Sequence, residues 1–267
     1  MSGLFDEIGE VKQNLQVGPN LYLLSMLAPK TASKILPGQF VHMQISTNPA
    51  HVLRRPFSIY AANPENGMID ILYQVVGSGT REMTFWQAGD KAPMISPVGR
   101  GWTLSDDIHK ALLVGGGVGA APLYMLCVAL CKSGVQVDVA LGAGSSNSLV
   151  CLDRYNELAM PKLRVLCATD DGSYGISGFC TSIAQDALQC AADSDAPYDY
   201  VATCGPEPMM KIVANLARAA NVRCEVSLER RMACGIGACL SCVVDTKDGK
   251  KRACVDGPVF DAQELLW

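Results

Sequence analysis

The chain has 267 residues, a formal net charge of −4, 49% hydrophobic residues and 18% charged residues. This weakly acidic balance gives no electrostatic reason to expect nucleic acid or an anionic membrane as a partner. The length predicts two domains with a small third one, and the hydrophobic content suffices for sizeable cores. The first ten residues include Asp6, Glu7 and Glu10 and lack a basic region followed by an apolar stretch, so no signal peptide is expected there.

Short β-type runs separated by glycine and proline fill the first part of the chain. Such spacing predicts a small antiparallel β-barrel over residues 1–101. The runs are Leu21–Leu27, Phe40–Ile45, Ser58–Ala61 and Ile69–Val76.

Two segments of the predicted barrel carry groups that suit a phosphate-bearing ligand. In Arg54-Arg55-Pro56-Phe57-Ser58, guanidinium groups suit phosphate oxygens and the serine hydroxyl can reach a ring heteroatom. In Gly77-Ser78-Gly79-Thr80-Arg81, flexible backbone stands beside a hydroxyl and a positive charge. The first segment alone could equally be a solvated basic turn. Two such segments in one barrel favour a nucleotide site.

Beyond Gly101 the pattern changes to short apolar strands that alternate with helical stretches. This alternation predicts a parallel α/β domain over residues 102–225. One uncharged segment, residues 111–131, is long enough to span a bilayer. Four glycines and Pro122 interrupt it, so a strand, a glycine turn and a buried helix are the simpler prediction, and no membrane association is expected. The predicted strands are Ala111–Val114, Val135–Leu141, Leu163–Ala168 and Tyr200–Thr203, followed by Cys224–Leu228.

Two features of this domain indicate a dinucleotide site. Gly115, Gly117 and Gly119 belong to a G-x-G-x-x-A turn between a strand and a helix, where glycines permit close approach to a pyrophosphate. The same glycines could simply end a strand, but their context favours the site. Cys204 and Gly205 close the fourth strand, and Gly205 would let a ligand approach the edge of the sheet. Cys204 could equally be a buried strand terminus.

The choice between NAD and NADP depends on basic residues near the second strand. Between Leu141 and Leu152 there is none, which favours NAD as the co-substrate, although Arg154 lies close enough to weaken that inference. Asp138 has a plausible separation for a ribose-binding acid. Because it lies in the middle of a predicted strand, it is left unassigned.

Four cysteines near the C-terminus, Cys234, Cys239, Cys242 and Cys254, have the spacing C-x4-C-x2-C-x11-C. The first three match the plant-type spacing of a [2Fe–2S] cluster. Zinc is the weaker alternative, because structural zinc sites usually pair two short hooks across a longer gap, and disulfides are weaker still. Residues 226–267 are too few to bury much core, so bound metal is expected to supply a good part of their folding free energy.

The remaining eight cysteines are scattered through apolar runs, which favours a reducing compartment and a cytoplasmic location.

The sequence shows no evident group of side chains for acid–base catalysis. The three histidines, His42, His51 and His109, are interpreted as structural, and no catalytic residue is assigned. A cluster passes single electrons whereas NAD accepts a hydride, so the two in one chain require a flavin between them.

The motifs Arg55-Pro56-Phe57-Ser58, Gly79-Thr80, Gly115–Gly119 and Cys204-Gly205-Pro206 together resemble the ferredoxin–NADP reductase superfamily. Within that superfamily, Leu228-Glu229-Arg230-Arg231-Met232-Ala233-Cys234-Gly235-Ile236-Gly237-Ala238-Cys239 closely resembles the electron-transfer subunits of type B, NAD-dependent dihydroorotate dehydrogenases. The resemblance covers nearly the whole chain, and its most specific part is the cysteine segment.

The resemblance implies an α+β multidomain protein with an antiparallel β-barrel flavin domain, a parallel α/β nucleotide-binding domain and a C-terminal [2Fe–2S] module over residues 226–267. It implies that the four cysteines are the cluster ligands and that FAD is bound by the barrel. The implied FAD contacts are Arg55, Pro56, Phe57, Ser58, Leu72, Tyr73, Gln74, Gly79 and Thr80.

The resemblance further implies a partner, the FMN-containing catalytic subunit of dihydroorotate dehydrogenase, in a heterotetramer of two chains of each kind. Electrons would run from dihydroorotate through FMN, the cluster and FAD to NAD, in the biosynthesis of pyrimidines (UMP). Two alternatives stay open: a subunit of a hydrogenase or transhydrogenase system of the same superfamily, and a non-catalytic zinc-stabilised binding module.

Many superfamily members end in an aromatic residue that stacks on the flavin. This chain instead continues through the cysteine module to Trp267, whose role stays open.

Overall fold

The computed structural model describes residues 3–45, 52–192 and 196–267, without the side chain of residue 192. Seven antiparallel strands form the first sheet, with two short helices between them. The strands are β1 (Phe5–Gly18), β2 (Leu21–Leu27), β3 (Phe40–Met43), β4 (Arg55–Ser58), β5 (Ala61–Asn63), β6 (Met68–Gln74) and β7 (Lys91–Val98), and the helices are α1 (Pro29–Lys34) and α2 (Ser78–Met83).

The first sheet has the strand order β4-β3-β7-β1-β2-β6-β5 and is rolled into a barrel, because strands near its two ends meet. The ring of Phe57 on β4 packs edge to face against Tyr73 on β6, with ring centroids 6.3 Å apart. Alternate residues of each strand fill the barrel core, among them Met26, Ile69 and Met94, which are fully buried. The predicted antiparallel barrel is confirmed.

A second seven-stranded sheet follows, covered by helices. Its described strands run parallel apart from the last one, which pairs antiparallel with the strand before it in space. The strands are β8 (Lys110–Gly116), β9 (Gln136–Ala143), β10 (Leu163–Thr169), β11 (Ile176–Ser177), β12 (Tyr200–Cys204), β13 (Arg223–Ser227) and β16 (Val259–Asp261), in the order β11-β10-β9-β8-β12-β13-β16. The helices are α3 (Ala121–Lys132), α4 (Leu152–Glu157), α5 (Cys180–Ala192) and α6 (Glu207–Ala219).

The uncharged segment 111–131 has the structure that the sequence predicts. Buried strand β8 passes through a tight turn at Gly117–Ala120 into helix α3. In the described parts of the chain, no helix combines the length and the apolar character that crossing a bilayer requires.

The cysteine module contributes a hairpin, β14 (Val243–Thr246) and β15 (Gly249–Arg252), and then returns to the second sheet as β16. Cys242 and Cys254 lie in one buried core with Phe40 of the barrel and Val226 of β13. The module therefore obtains part of its stability from both neighbours, in addition to the contribution expected from metal. The predicted boundary between the second domain and the cysteine module, at residues 225 and 226, falls inside β13, which extends to Ser227. Since β16 also joins the second sheet, this boundary stays a prediction.

A buried carboxylate connects the barrel to the second sheet. Glu225 on β13 accepts hydrogen bonds from the Thr103 backbone N–H at 2.9 Å and the Thr103 hydroxyl at 2.6 Å. It also accepts one from the Tyr200 hydroxyl at 2.6 Å. Thr103 lies in the connection between the barrel and β8, so Glu225 fixes that connection to the sheet.

Glu225→Ala should lower the thermal unfolding midpoint of the holoprotein by ~5–10 °C, because two hydroxyls and an N–H lose a charged acceptor inside the protein, at a cost of about 2–4 kcal/mol. Circular dichroism melting at matched cofactor content measures the change. Glu65→Ala is the control, since Glu65 is exposed. Equal midpoints for the two variants would show that Glu225 does not hold the connection.

Candidate functional site

The two phosphate-binding candidates of the barrel lie side by side. A Cβ atom added to Gly79 would come within 3.7 Å of the Arg55 Nε atom. The Arg55 guanidinium is held by the segment that precedes β4, since Nη1 donates to the Leu53 carbonyl oxygen at 2.7 Å. We call Arg55, Pro56, Ser58 and Gly79 the flavin cradle. The positive charge of Arg55 beside a glycine backbone suits a dinucleotide phosphate.

Thr80 organises the turn that presents Gly79. Its hydroxyl oxygen accepts hydrogen bonds from the Val76 and Gly77 backbone N–H groups at 2.9 and 3.1 Å, and it lies 3.2 Å from the Gly77 carbonyl oxygen. The hydroxyl is therefore used within the turn at the start of α2.

The remaining predicted FAD contacts differ in what they can offer a ligand. Phe57 and Tyr73 have side chains in the barrel core, and Leu72 is buried in the core shared with the second sheet. These three can reach a ligand through their backbone, whereas Gln74 is exposed at the end of β6. Burial raises the pKa of the Tyr73 hydroxyl to about 12, so it stays protonated at neutral pH.

The two dinucleotide features of the second sheet converge at its carboxyl edge. Cys204 on β12 pairs with Gly115 on β8. A Cβ atom on Gly119 would lie 2.5 Å from the Cys204 carbonyl oxygen and 2.6 Å from the Gly205 Cα atom. Gly117 has a φ angle of +56° with no heavy atom within 4 Å of an added Cβ, so its surroundings are open to a ligand. Burial raises the pKa of the Cys204 thiol to about 12, which leaves it protonated and not nucleophilic.

Asp138 and Arg154, which the sequence left undecided, both have structural partners. Asp138 pairs with Arg164 through two 2.9 Å hydrogen bonds and accepts a further one from Tyr198, so it is not placed to bind a ribose. Arg154 lies 2.8 Å from the Asp70 carboxylate of the barrel and 4.6 Å from the centre of the Tyr60 ring. Arg154 joins the barrel to α4 and so is not free to bind a 2′-phosphate.

The four predicted cluster ligands form two pairs. The Sγ atoms of Cys242 and Cys254 are 3.3 Å apart in the buried core, while Cys234 and Cys239 contact each other nearer the surface. Within residues 3–45, 52–192 and 196–267, no three metal-binding side chains converge on a single-ion site. A two-plus-two grouping fits a cluster of two irons better than one tetrahedral zinc ion.

The backbone of the cysteine loop favours the thiolate form of Cys234. Burial opposes ionisation of Cys234, but backbone N–H groups, chiefly that of Ile236, lower its pKa to about 6. The Ile236 N–H donates to the Cys234 Sγ atom at 3.5 Å. The loop is also held at Gly237, whose carbonyl oxygen accepts a hydrogen bond from Arg252 of β15 at 3.2 Å. Thiolate ligands and amide donors are what an iron–sulfur cluster requires, so the residues present fit that group.

Sequence reasoning missed one residue that the structure places between the sites. His42 on β3 is fully buried, and a Cβ on Gly235 would lie 2.4 Å from its Nδ1 atom. Burial, and secondly the charge of Arg54, lower the pKa of His42 to about 4. Of the other histidines, His109 is exposed and His51 lies outside the described residues. No signal in the sequence links position 42 to the cysteine segment.

The C-terminal residue has a defined place. Trp267 packs, partly buried, on the core that contains Cys242 and Cys254, and the Lys211 Nζ atom lies 5.9 Å from the centre of its ring. Trp267 therefore lies against α6 of its own chain.

Two protein families match the parts of the chain where these sites lie. Residues 113–215 match the oxidoreductase NAD-binding domain, and residues 229–266 match the iron-sulfur cluster binding domain of dihydroorotate dehydrogenase B. In solved structures, the chain is similar to an NADH-dependent reduced ferredoxin-NADP oxidoreductase, with a TM-score of 0.86 and 30% identity over 100% of this chain and 92% of that one. The ferredoxin reductase of carbazole 1,9a-dioxygenase shares the fold, with a TM-score of 0.67 and 20% identity over 82% and 67% of the two chains.

Fold and sites together define an NAD-linked oxidoreductase of the ferredoxin–NADP reductase fold that carries an iron–sulfur module. The chain is 38% identical to the electron transfer subunit of dihydroorotate dehydrogenase B (NAD(+)) of Desulforamulus reducens, over 100% of both chains. It is 34% identical to the corresponding subunit of Fusobacterium nucleatum, over 96% of both chains. The chain belongs to the family of dihydroorotate dehydrogenase B electron transfer subunits. The predicted fold class and family resemblance are confirmed, as are FAD, the [2Fe–2S] cluster and NAD as cofactors.

Cys239→Ala should reduce bound iron from ~2 per chain to near zero, because a [2Fe–2S] cluster needs all four of its thiolates. Cys239 is exposed, so the substitution leaves the buried core intact. Iron analysis and low-temperature EPR of the reduced protein measure the loss. Cys190→Ala, at an exposed cysteine of α5, should keep its iron. Full iron in the Cys239 variant would exclude Cys239 as a ligand.

Proposed function

We propose that this chain passes electrons from the FMN of a dihydroorotate dehydrogenase catalytic subunit to NAD, in the biosynthesis of pyrimidines. The observation that carries the proposal is the contact between the cysteine loop and the barrel. Gly235, next to Cys234, packs on His42, and His42 is paired across strands with Pro56 of the flavin cradle. The candidate cluster and flavin sites are therefore neighbours, as electron transfer between them requires.

Each proposed site holds one of the three cofactors. When bound, the cluster supplies single-electron transfer, FAD exchanges one or two electrons, and NAD takes up a hydride. Cys234, Cys239, Cys242 and Cys254 hold the cluster, and the loop amides donate to its sulfur ligands. The flavin cradle binds FAD, together with the backbone of Phe57, Leu72, Tyr73 and Thr80 and with the exposed Gln74. Gly115, Gly117, Gly119, Cys204 and Gly205 form the NAD site.

The same proposal divides the chain into three parts. Residues 1–101 form the FAD-binding barrel, residues 102–225 the NAD-binding domain and residues 226–267 the cluster module. The two sheets and the hairpin β14–β15 support this division, while β16 returns from the module to complete the second sheet.

Dihydroorotate oxidation belongs to the partner in this proposal. Neither Cys204, whose thiol stays protonated, nor His42, which is buried against Gly235, is placed to act as an acid or base on an organic substrate. The partner is an FMN-containing catalytic subunit, and the assembly is a heterotetramer of two chains of each kind. All twelve cysteines lie in the described residues without a disulfide, which supports a reducing, cytoplasmic location.

Purification of the chain alone and with its partner tests whether dihydroorotate oxidation requires the catalytic subunit. The chain alone should show flavin and iron–sulfur absorption and should reduce dyes with NADH, faster than with NADPH. It should not oxidise dihydroorotate. Addition of the catalytic subunit should produce dihydroorotate-dependent NAD reduction. Oxidation of dihydroorotate by the isolated chain would contradict the proposal.

One comparison supports a second candidate within the same superfamily. The similarity to the NADH-dependent reduced ferredoxin-NADP oxidoreductase extends over the whole chain at 30% identity. A transhydrogenase-type or hydrogenase-type system would use the same relay with a different partner. Co-purification of the chain with a ferredoxin-dependent subunit, in place of the dihydroorotate-oxidising one, would favour this candidate.

The exposed side of the cysteine loop is the proposed docking surface for the catalytic subunit. Ile236 and Leu240 are 47% and 63% exposed beside the exposed Cys239. Exposed apolar side chains at a redox centre fit the core of a protein interface.

Leu240→Asp should weaken binding of the catalytic subunit about tenfold, which corresponds to ~1.4 kcal/mol. An aspartate tolerates the left-handed backbone of this position, where φ is +59°, so the loop should persist. Isothermal titration calorimetry measures the affinity. Leu104→Asp is the matched control, because Leu104 is 51% exposed in the connection outside the module. Equal affinities for the two variants would place the interface elsewhere.

A further inference from the structure

His42 points out of the barrel toward the cysteine module. Its neighbours Val41 and Met43 lie in the barrel core, so alternation along β3 directs His42 to the opposite side. There the side chain is fully buried, although β3 is a strand of the barrel. What covers it includes the backbone of the cysteine loop at Gly235.

The contact between His42 and Gly235 leaves no room for a side chain on the loop. A Cβ on Gly235 would lie 2.4 Å from Nδ1 and 2.8 Å from Cγ of the imidazole, and the φ angle of Gly235 is +69°. Glycine at this position therefore lets the loop approach the ring closely. The ring supports the start of the segment that carries Cys234 and Cys239.

The imidazole nitrogens of His42 make no well-formed hydrogen bond, although backbone groups of Arg54 and Cys234 lie close enough to act on the ring. Among the described residues, neither Nδ1 nor Nε2 of His42 has a hydrogen-bond partner. Buried polar atoms in native proteins are nearly always hydrogen-bonded to protein, to ordered water or to a bound group, so the ring can bond to a group held beside it. The groups that belong on this side of β3 are the cluster of the adjoining loop and the flavin of the adjoining strand β4.

The loop side of the ring favours the cluster over the flavin. Nδ1 is the ring atom nearest to the Cβ position of Gly235, the residue that directly follows Cys234. In the same loop the Ile236 N–H already donates to the Cys234 Sγ atom at 3.5 Å, so sulfur acts as an acceptor here. Hydrogen bonds to the sulfurs of a cluster orient its ligands and raise its reduction potential.

We propose that His42 is a positioning residue of the cluster site: its imidazole supports the cysteine loop from the barrel, and a ring N–H donates a hydrogen bond to sulfur of the bound cluster. This inference rests on the proposed function, in which the four cysteines hold the cluster. It assigns to the barrel, which holds the flavin cradle, a direct contact with the second redox site. The strand pair β3–β4 then links the two sites through His42 and Pro56.

Pulsed EPR of the reduced holoprotein, with histidine labelled by ¹⁵N, tests the hydrogen bond. We expect a ¹⁵N coupling to the reduced cluster in the natural protein and in His109→Gln, whose histidine is exposed. The coupling should be lost in His42→Phe, which keeps a ring of similar size without N–H groups, and in His42→Gln. A coupling that persists in His42→Phe, or is missing from a natural protein with a normal cluster signal, would overturn the proposal.

Potentiometric titration of the cluster and the flavin distinguishes a hydrogen bond from His42 to the cluster from packing of the ring alone. The cluster potential should fall in His42→Phe and return toward the natural value in His42→Gln, which can still donate, while the flavin potential stays the same. A shift of the flavin potential alone would assign the ring to the flavin and contradict the proposal. Absence of iron and of a cluster signal from the natural protein would instead refute the proposed function.

A double substitution tests the support of the loop independently of redox measurements. The Gly235→Ala variant should bind little iron, because the new methyl group collides with the His42 imidazole. His42→Ala in the same chain should restore part of the iron by opening space, although the strain of the left-handed backbone remains. Equal iron loss in the single and double variants would show that the ring does not support the loop.

Discussion

The arrangement of the whole molecule depends on one buried core to which all three parts of the chain contribute. Phe40 and Val98 come from the barrel, Val226 from the second sheet, and Cys242 with Cys254 from the cysteine module. Apolar burial is nondirectional, but a close-packed core admits few relative positions of its elements. Electron transfer between separate cofactors requires fixed separations. The shared core fixes these separations more tightly than the chain connections alone could.

This core also explains how a short module can be stable. About forty residues bury too little surface to fold alone in most cases. Here Val244 of the hairpin β14–β15 lies in the shared core, and β16 forms an edge strand of the second sheet through its pairing with β13. Metal ligation then acts on a loop that is already anchored at both ends. Metal is still expected to fix the thiols, because the loop itself has little regular structure.

The sequence predicted those strands whose pattern is mainly apolar. Leu21–Leu27 is found with the same bounds, and the predicted strands of the parallel sheet are found within a few residues of their ends. The predicted strand Ser58–Ala61 is wrong, because Ser58 ends β4 and Ala61 begins β5. The sequence also missed β1, in which charged and apolar residues alternate, and β7, which contains Pro93 and Pro97. Both strands obtain their hydrogen bonds from distant neighbours, so tertiary pairing decides their structure more than local preference does.

The candidate sites show the same division between local and distant information. Glycine turns and cysteine spacing are local patterns with a chemical meaning, and the structure brings Gly119 beside Cys204 and places the four cysteines in one module. The interpretation of His42 as merely structural could not have been improved from the sequence, because its contact with Gly235 joins segments far apart in the chain. Distant contacts of this kind become visible only when the fold is known.

Arg154 shows how the fold resolves a question of cofactor choice. In the sequence it was the basic residue that weakened the inference of NAD. In the structure its guanidinium lies against Asp70 and over Tyr60, both in the barrel, so it joins the barrel to α4. To bind a 2′-phosphate it would have to leave a carboxylate and an aromatic ring, and both contacts stabilise a partly buried guanidinium. The Arg154 side chain therefore holds the second domain against the barrel. Because its guanidinium is paired with Asp70, the dinucleotide site lacks that positive charge. The expected preference for NAD and the rigidity between the barrel and the second sheet would thus have a common physical origin.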